Sequence, residues 1–300
     1  MITEDQLEQL CLSWFKEIGY DYVCGYDIAP DASAPERGDF RQLILTGRLL
    51  TQLQKINPHI PVATLEQVIL QIAKPETPVL IKNNKQFHQY LQEGVKVDFK
   101  LNGDDKTDYV QLVDFSNTHN NQFLVVNQFS ILGSKSHRRP DIIVFINGLP
   151  LAVIELKNPA DQNADIWQAF QQLQTYKDEI TDLFMFNQAL VVSDGLDARV
   201  GSLTADKERF LPWKVVKNEN DKPNFEFRLE TLVKGFFNPE LLLDYIHHFI
   251  LFETDGDKLI KKIAGYHQFH AVREAVRATV IAASRPQANT INEPRANYGD

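Results

Sequence analysis

The stretch from Arg139 to Asn158, RPDIIVFINGLPLAVIELKN, constrains this chain more than any other. Two apolar runs flank the dipeptide Asn147-Gly148, which is typical of a tight β-hairpin turn. Asp141 begins the first run, and Glu155 and Lys157 end the second. Because side chains alternate between the two faces of a strand, Glu155 and Lys157 share one face. Two charges therefore leave an otherwise apolar strand on the same side.

The geometry of the turn decides whether the first acid joins them. A two-residue turn at Asn147-Gly148 would put Glu155 on the face opposite Asp141. A three-residue loop that ends in a left-handed Gly148 would pair Asp141 with Val153 and bring it onto the face of Glu155 and Lys157. A site that uses both acids therefore requires an odd-length turn or a bulge.

These residue types in this pattern favour phosphodiester hydrolysis. Mg²⁺ prefers hard oxygen ligands, which Asp141, Glu155 and the backbone carbonyl of Leu156 could supply. Lys157 could orient the attacking water or stabilise charge on the phosphate in the transition state. The alternative is that Asp141 only starts a strand and that Glu155 and Lys157 form an exposed pair.

Three features argue against that alternative. A proline precedes Asp141, the two strands are almost wholly apolar, and the following helix carries Gln172 and Tyr176 one turn apart on one face.

Composition limits the class of protein. The chain has 300 residues, 43% of them apolar and 24% charged, which is ordinary for a soluble globular protein. Two cysteines give no disulfide framework and no zinc spacing, and no apolar run or signal peptide predicts a membrane partner. We expect a cytoplasmic protein.

The net charge of -9 argues against a chain that is basic overall and binds nucleic acid through its whole surface. DNA contacts would have to come from a local cluster, for which Lys135, His137, Arg138 and Arg139 are the candidates. The alternative for these residues is an ordinary solvated loop.

The pattern along the chain predicts an α/β fold, with a mixed central sheet flanked by helices and an N-terminal helical layer. The predicted helices are Thr3–Ile18, Phe40–Ile56, Thr64–Ala73, Asn84–Gln92, Ala164–Ile180, Pro239–Phe252 and Leu259–Ala283. The predicted strands are 95–101, 109–115, 123–132, 141–146, 151–157 and 188–193, with 201–216 and 225–229 left as further strands or an irregular excursion.

Pro140-Asp141 followed by Glu155-Leu156-Lys157 resembles the PD-(D/E)xK nuclease superfamily. Gln172 and Tyr176 are similar to the extra motif of RecB-like nucleases and of type I restriction enzyme R subunits. The segments TEDQLEQLCLSWFKEIGYDYVCG (3–25) and KKIAGYHQFHAVREAV (261–276) resemble the R subunits in particular.

The resemblance implies roles for individual residues. Asp141 and Glu155 would bind Mg²⁺ together with the Leu156 carbonyl, Lys157 would be catalytic, and Gln172 and Tyr176 would assist. Glu8 matches a further acid that many superfamily members carry near the site. His267, Gln268 and His270 resemble an adenine-contacting region that is inert without its motor.

The function implied is that of a Mg²⁺-dependent DNA endonuclease domain without sequence specificity of its own. Residues 1–235 would form that domain, with a core at about 95–200, residues 236–258 a connecting helix, and 259–300 the start of a motor domain. No phosphate-cradling G-x-x-x-x-G-K-[ST] loop occurs, so ATP would act only through a motor outside this chain. Double-stranded DNA and the methyltransferase and specificity subunits would be the partners. The alternatives are a stand-alone RecB-like nuclease and an inactive nuclease fold that serves as a docking module.

Overall fold

The computed structural model describes residues 2–134, 136–158, 166–218, 221, 223 and 225–284. The helices are α1 (Glu4–Glu17), α2 (Thr46–Ile56), α3 (Val62–Ile72), α4 (Leu80–Glu93), α5 (Ile166–Glu179), α6 (Thr181–Phe184), α7 (Arg228–Phe236), α8 (Pro239–His248) and α9 (Tyr266–Ser284). The strands are β1 (Asp21–Cys24), β2 (Val95–Leu101), β3 (Asp104–Val110), β4 (Phe123–Asn127), β5 (Ile131–Leu132), β6 (His137–Arg138), β7 (Ile142–Ile146), β8 (Leu149–Leu156), β9 (Ala189–Ser193), β10 (Ala198–Gly201), β11 (Leu211–Pro212), β12 (Ile250–Asp255) and β13 (Lys258–Ile263).

A seven-stranded sheet in the order β1-β4-β7-β8-β9-β10-β11 forms the centre of the molecule. β1 pairs with β4 and β8 with β9 in parallel, and the other neighbours are antiparallel. Every residue of β4, β7, β8 and β9 is buried, as expected for strands covered on both faces. The predicted α/β class with a mixed central sheet is confirmed.

Helix α1 forms as its sequence predicts. The Thr3 hydroxyl accepts a hydrogen bond from the Gln6 backbone N–H at 3.3 Å, and the Gln6 side chain accepts one from the Thr3 N–H at 2.9 Å. This capping box satisfies two of the N–H groups that a helix start leaves unpaired. The apolar stripe is buried, and Glu8 is buried with it.

The central hairpin reaches the required register by a bulge. Asn147 and Gly148, at φ 55° and 82°, form a two-residue turn that pairs Ile146 with Leu149. The register shifts between Val144 and Phe145, so β8 carries one extra residue. Of the two alternatives, an odd-length turn or a bulge, the structure has the bulge, which puts Asp141 opposite Glu155 and not opposite Val153.

The bulge follows from proline chemistry. Phe145 pairs with Pro150 and Val144 with Ala152, which leaves Leu151 as the extra residue. Proline has no N–H for the ladder, and inside a sheet it is tolerated at edges and bulges. Pro150 is thus a sequence signal for the bulge.

Polar and backbone contacts hold the turn at both of its residues. The buried Asn147 side chain donates to the Leu112 carbonyl at 3.0 Å and accepts from the Gln122 N–H at 2.8 Å. The Leu45 N–H donates to the Gly148 carbonyl at 2.9 Å, just before α2 begins. A Cβ on Gly148 would lie 2.6 Å from the Leu45 carbonyl oxygen. Only glycine allows this approach.

The hairpin of β2 and β3 turns earlier than predicted. The turn falls at Asn102-Gly103, and the polar run from Asp104 forms β3, where 109–115 was expected to be the strand. Most residues of both strands are exposed, so this hairpin projects into water and polar side chains cost it little.

The C-terminal part also differs from expectation. The helix predicted over Pro239–Phe252 ends at His248, and Ile250–Asp255 pairs with Lys258–Ile263 in a hairpin around Gly256. Residues 236–258 are therefore not one connecting helix, and the boundaries at 235 and 258 remain predictions. Helix α7 was missed, and the start predicted for α5 at Ala164 lies outside the described residues.

The hairpin of β12 and β13 packs into the rest of the molecule. The ammonium of Lys261 on β13 is buried and donates to Asn84 Oδ1, the Asn187 carbonyl and Gln188 Oε1 at 3.0, 2.6 and 3.2 Å. Burial holds the pKa of Lys261 well below its usual value. β13 thus packs on α4 and on the residues just before β9.

Among the helices that the structure describes, none has the length and apolarity needed to span a bilayer.

Candidate active site

Asp141 and Glu155 lie next to each other at the ends of two central strands. Ile142 pairs with Ile154, and the same register, continued by one residue, puts Asp141 opposite Glu155. The Leu156 backbone N–H donates a hydrogen bond of 2.6 Å to Asp141 Oδ2. The position of Asp141 is thereby fixed by Leu156, the residue between Glu155 and Lys157.

The Glu155 carboxylate is buried, with 2% of the residue exposed. Its Oε1 accepts from the Lys157 ammonium at 3.2 Å, whereas Oε2 has no hydrogen-bond partner among the described residues. A buried carboxylate oxygen without a donor costs free energy unless a cation or a ligand meets it. This oxygen is available to a metal ion.

Both acids have raised pKa values. Burial raises the pKa of Asp141 to about 7, although the Leu156 N–H and the charge of Lys157 oppose it. Burial and then the charge of Asp141 raise the pKa of Glu155 to about 8. Two adjacent, poorly solvated carboxylates repel each other, and a divalent cation between them would remove that repulsion.

Lys157 completes the cluster. Its ammonium donates to the Leu156 carbonyl at 2.8 Å as well as to Glu155. Burial lowers the pKa of this lysine, but the negative charges of Glu155 and Asp141 raise it by more. The net shift is upward, and the ammonium stays charged. The Lys157 side chain is 18% exposed, so a ligand can reach it.

Helix α5 brings Tyr176 to the same place. The Tyr176 hydroxyl donates to the Arg139 carbonyl at 3.4 Å and interacts with the Gln172 side chain one turn earlier. Burial raises the pKa of Tyr176, and the charges of Glu155 and Asp141 raise it further. Tyr176 therefore lies close enough to the two acids for their charges to act on its hydroxyl, and Gln172 contacts Tyr176.

Helix α1, at the start of the chain, adds two acids near the site. Glu8 is buried and accepts from Asn127 Nδ2 at 2.6 Å. Burial raises the pKa of Glu8, and the charges of both Glu8 and Glu4 raise the pKa of Asp141. Glu4 was not predicted, although its position one turn before Glu8 is a signal. No sequence signal pointed to Asn127.

The donor set fits a hard divalent cation. In the part of the chain that the structure describes, no three His, Cys, Asp or Glu side chains form a metal-binding group. The carboxylates of Asp141 and Glu155 and the Leu156 carbonyl, which accepts from the Lys157 ammonium, are the candidate protein ligands. Mg²⁺ commonly takes one or two carboxylates and fills its remaining positions with water and phosphate.

The predicted DNA-binding cluster is partly engaged within the protein. Arg138 forms a two-pronged ion pair with Glu179, with Nη2 2.9 Å from Oε1. The Arg139 guanidinium lies 5.6 Å from the centre of the Tyr26 ring and donates to its hydroxyl. Lys135 lies outside the described residues. Arg139, two residues before Asp141, is the member closest in sequence to the site.

The late motif has structural contacts. Gln268 Oε1 accepts from the Gly265 N–H at 2.9 Å, where α9 begins. His270 is buried, with its ring centre 5.6 Å from that of Trp213.

Comparison with known proteins gives the family of this chain. The family model described as type I restriction enzyme R protein N terminus matches residues 1–209. This chain belongs to the type I restriction enzyme R protein family. The R protein match covers Asp141, Glu155, Lys157, Gln172 and Tyr176.

Individual R protein relatives extend the match. The type I restriction enzyme HindI endonuclease subunit of Haemophilus influenzae is 45% identical over 288 residues, which cover 95% of this chain and 27% of the relative. The EcoprrI endonuclease subunit of Escherichia coli is 27% identical over 206 residues, which are 63% of this chain and 58% of that protein. The chain spans about a quarter of the length of the HindI subunit.

Proposed function

We propose that this chain is the Mg²⁺-dependent endonuclease part of a type I restriction R protein and that it hydrolyses phosphodiester bonds of double-stranded DNA. The observation that carries the proposal is the meeting of Asp141, Glu155 and Lys157, with one buried Glu155 oxygen left without a hydrogen-bond donor. Membership of the R protein family supports it.

The chain's own residues have defined tasks in this proposal. Asp141, Glu155 and the Leu156 carbonyl would hold the cation, which supplies charge neutralisation at the phosphate and a more acidic bound water. Lys157 would donate to a phosphate oxygen or orient the attacking water. A bond forms between the water oxygen and phosphorus, the bond from phosphorus to one sugar oxygen breaks, and that oxygen takes a proton.

Tyr176 and Gln172 would support the cluster from α5. The Tyr176 hydroxyl, bonded to the Arg139 carbonyl, holds the backbone that precedes Asp141. Arg139 would contact the phosphate backbone next to the cleaved bond. The sequence has two cysteines, Cys11 and Cys24, whose spacing is not that of a zinc finger. We propose that sequence recognition comes from separate specificity and methyltransferase subunits. Cleavage would be coupled to ATP-driven translocation by a motor in the rest of the protein.

The test is a cleavage assay of the assembled enzyme with Asp141→Ala, Glu155→Gln and Lys157→Ala. We expect each variant to cut plasmid DNA at least about 100-fold more slowly than the parent, because each removes a ligand or a charge from the transition state. ATP hydrolysis should continue at the parental rate.

Glu253→Gln is the matched control, because it removes an exposed acid that is also paired with a lysine, Lys262. It should cut DNA at the parental rate. Cleavage by Glu155→Gln within tenfold of the parent would remove Glu155 from the mechanism.

A further inference from the structure

A tryptophan in the first turn of α5 has two cations near its ring. The Arg199 guanidinium on β10 is 5.3 Å from the centre of the Trp167 ring, and the Lys207 ammonium is 5.6 Å from it. Cations at this distance are attracted by the electron-rich face of an indole. Trp167 is partly exposed and Lys207 is exposed, so the cluster of Trp167, Arg199 and Lys207 reaches the surface.

The sheet register places this cluster on the face of the candidate active site. Glu155 pairs with Val192, and Val192 pairs with Arg199. Directly paired residues point to the same side of a sheet, so Arg199 shares the face of Glu155 two strands away, at about 10 Å.

Helix α5 connects the two places. Trp167 contacts Arg199 near its start, and Tyr176 lies beside Glu155 and Asp141 nine residues later. Nine residues of helix span about 14 Å. The cluster is thus displaced from the acids toward β10, on the same face of the sheet.

The charges of the cluster are held in place by the protein. Arg199 Nε donates to Asp197 Oδ2 at 2.9 Å, and Nη1 donates to the Phe210 carbonyl at 3.5 Å. These contacts fix the guanidinium against the indole and offset part of its charge, and Lys207 adds a second cation. Two cations next to an aromatic ring fit the phosphates and sugars of a nucleic acid strand.

We infer that Trp167, Arg199 and Lys207 form a second DNA contact, which holds the strand that runs into the cleavage site. The inference rests on the proposed nuclease function. Arg199 and Lys207 bind phosphates about three nucleotides from the cleaved bond, since one strand carries a charge per about 3.4 Å of axis. The indole packs against the sugars between them.

The test measures binding rather than cleavage, with the full chain carrying Glu155→Gln so that DNA stays intact. Duplex affinity is measured by fluorescence anisotropy at a series of salt concentrations. Adding Arg199→Gln and Lys207→Ala should reduce the slope of log affinity against log salt by about 0.9 for each lost phosphate contact. Lys207→Arg keeps the charge and should keep the slope.

Lys100→Ala and Lys106→Ala are the controls, because these exposed lysines belong to the projecting β2–β3 hairpin. Both controls should leave the salt slope unchanged. Trp167→Phe should lower the affinity for DNA but leave the salt slope unchanged. An unchanged slope in Arg199→Gln/Lys207→Ala overturns the inference even if Asp141→Ala abolishes cleavage. Undiminished cleavage by Asp141→Ala would instead overturn the proposed function, whatever the slope.

Discussion

The Asp141 carboxylate accepts a hydrogen bond of 2.6 Å from the backbone N–H of Leu156, the residue between Glu155 and Lys157. One acid is thereby fixed by the strand that carries the other acid and the lysine. The three groups keep their relative positions as long as β7 and β8 stay paired, so the geometry of the site and the stability of the central hairpin are coupled.

The two acids should make the metal-free protein less stable as pH rises. Their pKa values of about 7 and about 8 lie above the ordinary values of 3.8 and 4.5, so the folded chain keeps protons that the unfolded chain releases. The free energy of unfolding should therefore be greatest below about pH 4, where both states hold these protons, and should fall until about pH 8. Glu155→Gln should remove part of that fall and be the more stable form at pH 8, by on the order of a few kcal/mol.

Urea unfolding in a chelator at pH 5 and pH 8 measures this effect. Glu253→Gln is the control: the pKa of Glu253 is lowered by Lys262, so its removal should bring no gain at pH 8. Equal losses of stability in the parent and in Glu155→Gln would contradict the assignment of raised pKa values.

Magnesium binding should release protons. A metal needs both carboxylates ionised, and at pH 6 Asp141 and Glu155 are mostly protonated. Titration calorimetry in two buffers of different ionisation enthalpy should therefore show proton release at pH 6 that declines by pH 9. Apparent affinity should rise over the same interval. Asp141→Asn should bind Mg²⁺ weakly, and a heat of binding identical in both buffers at pH 6 would argue against these ligands.

Gly148→Ala should destabilise the central hairpin more than a glycine replacement in an open turn. Gly148 has a positive φ, and its Cβ would meet the Leu45 carbonyl oxygen at 2.6 Å. Gly103 has a similar φ of +92° with nothing within 4 Å, so Gly103→Ala pays only the backbone strain. We expect losses of roughly 3 and 1 kcal/mol, measured by chemical unfolding. Equal losses of unfolding free energy in the two variants would mean that the backbone at Leu45 moves away from the added Cβ at little cost.

Glu8 should tune the site rather than hold the metal. Its charge raises the pKa of Asp141, so Glu8→Gln should lower that pKa and move the acidic limb of the pH–rate profile down by about half a pH unit. Glu4→Gln should act in the same direction, since its charge raises the pKa of both Asp141 and Glu155. Loss of cleavage at every pH in Glu8→Gln would show instead that Glu8 is a metal ligand.

Local signals predicted much of the fold. The capping box at Thr3 and the apolar stripe of α1 were sufficient for that helix, and continuous apolar runs located the buried strands β4, β7, β8 and β9. Prediction failed where tertiary contacts decide. Ile250–Phe252 continues the apolar pattern of α8, but pairing with β13 makes it a strand.

The site was predictable as residue types and only partly as geometry. The acids and the lysine can be recognised in the sequence because they are charged residues in apolar strands. In contrast, Glu8 meets Asn127 across 119 positions of chain, and Arg199 reaches Trp167 through the order of strands in the sheet. Neither juxtaposition has a local period or spacing that could reveal it.

The extra residue at Leu151 has a consequence for how such sites diverge. A bulge moves every later side chain of its strand to the other face of the sheet. It therefore decides whether an odd or an even spacing between the two acids puts them on one face. The number of residues between Asp141 and Glu155 is then free to vary by two, or by one when a bulge is gained or lost. A sequence search that fixes the number of residues between the two acids would miss such chains. A search that accepts even and odd spacings, and looks for a proline near the turn, would find them.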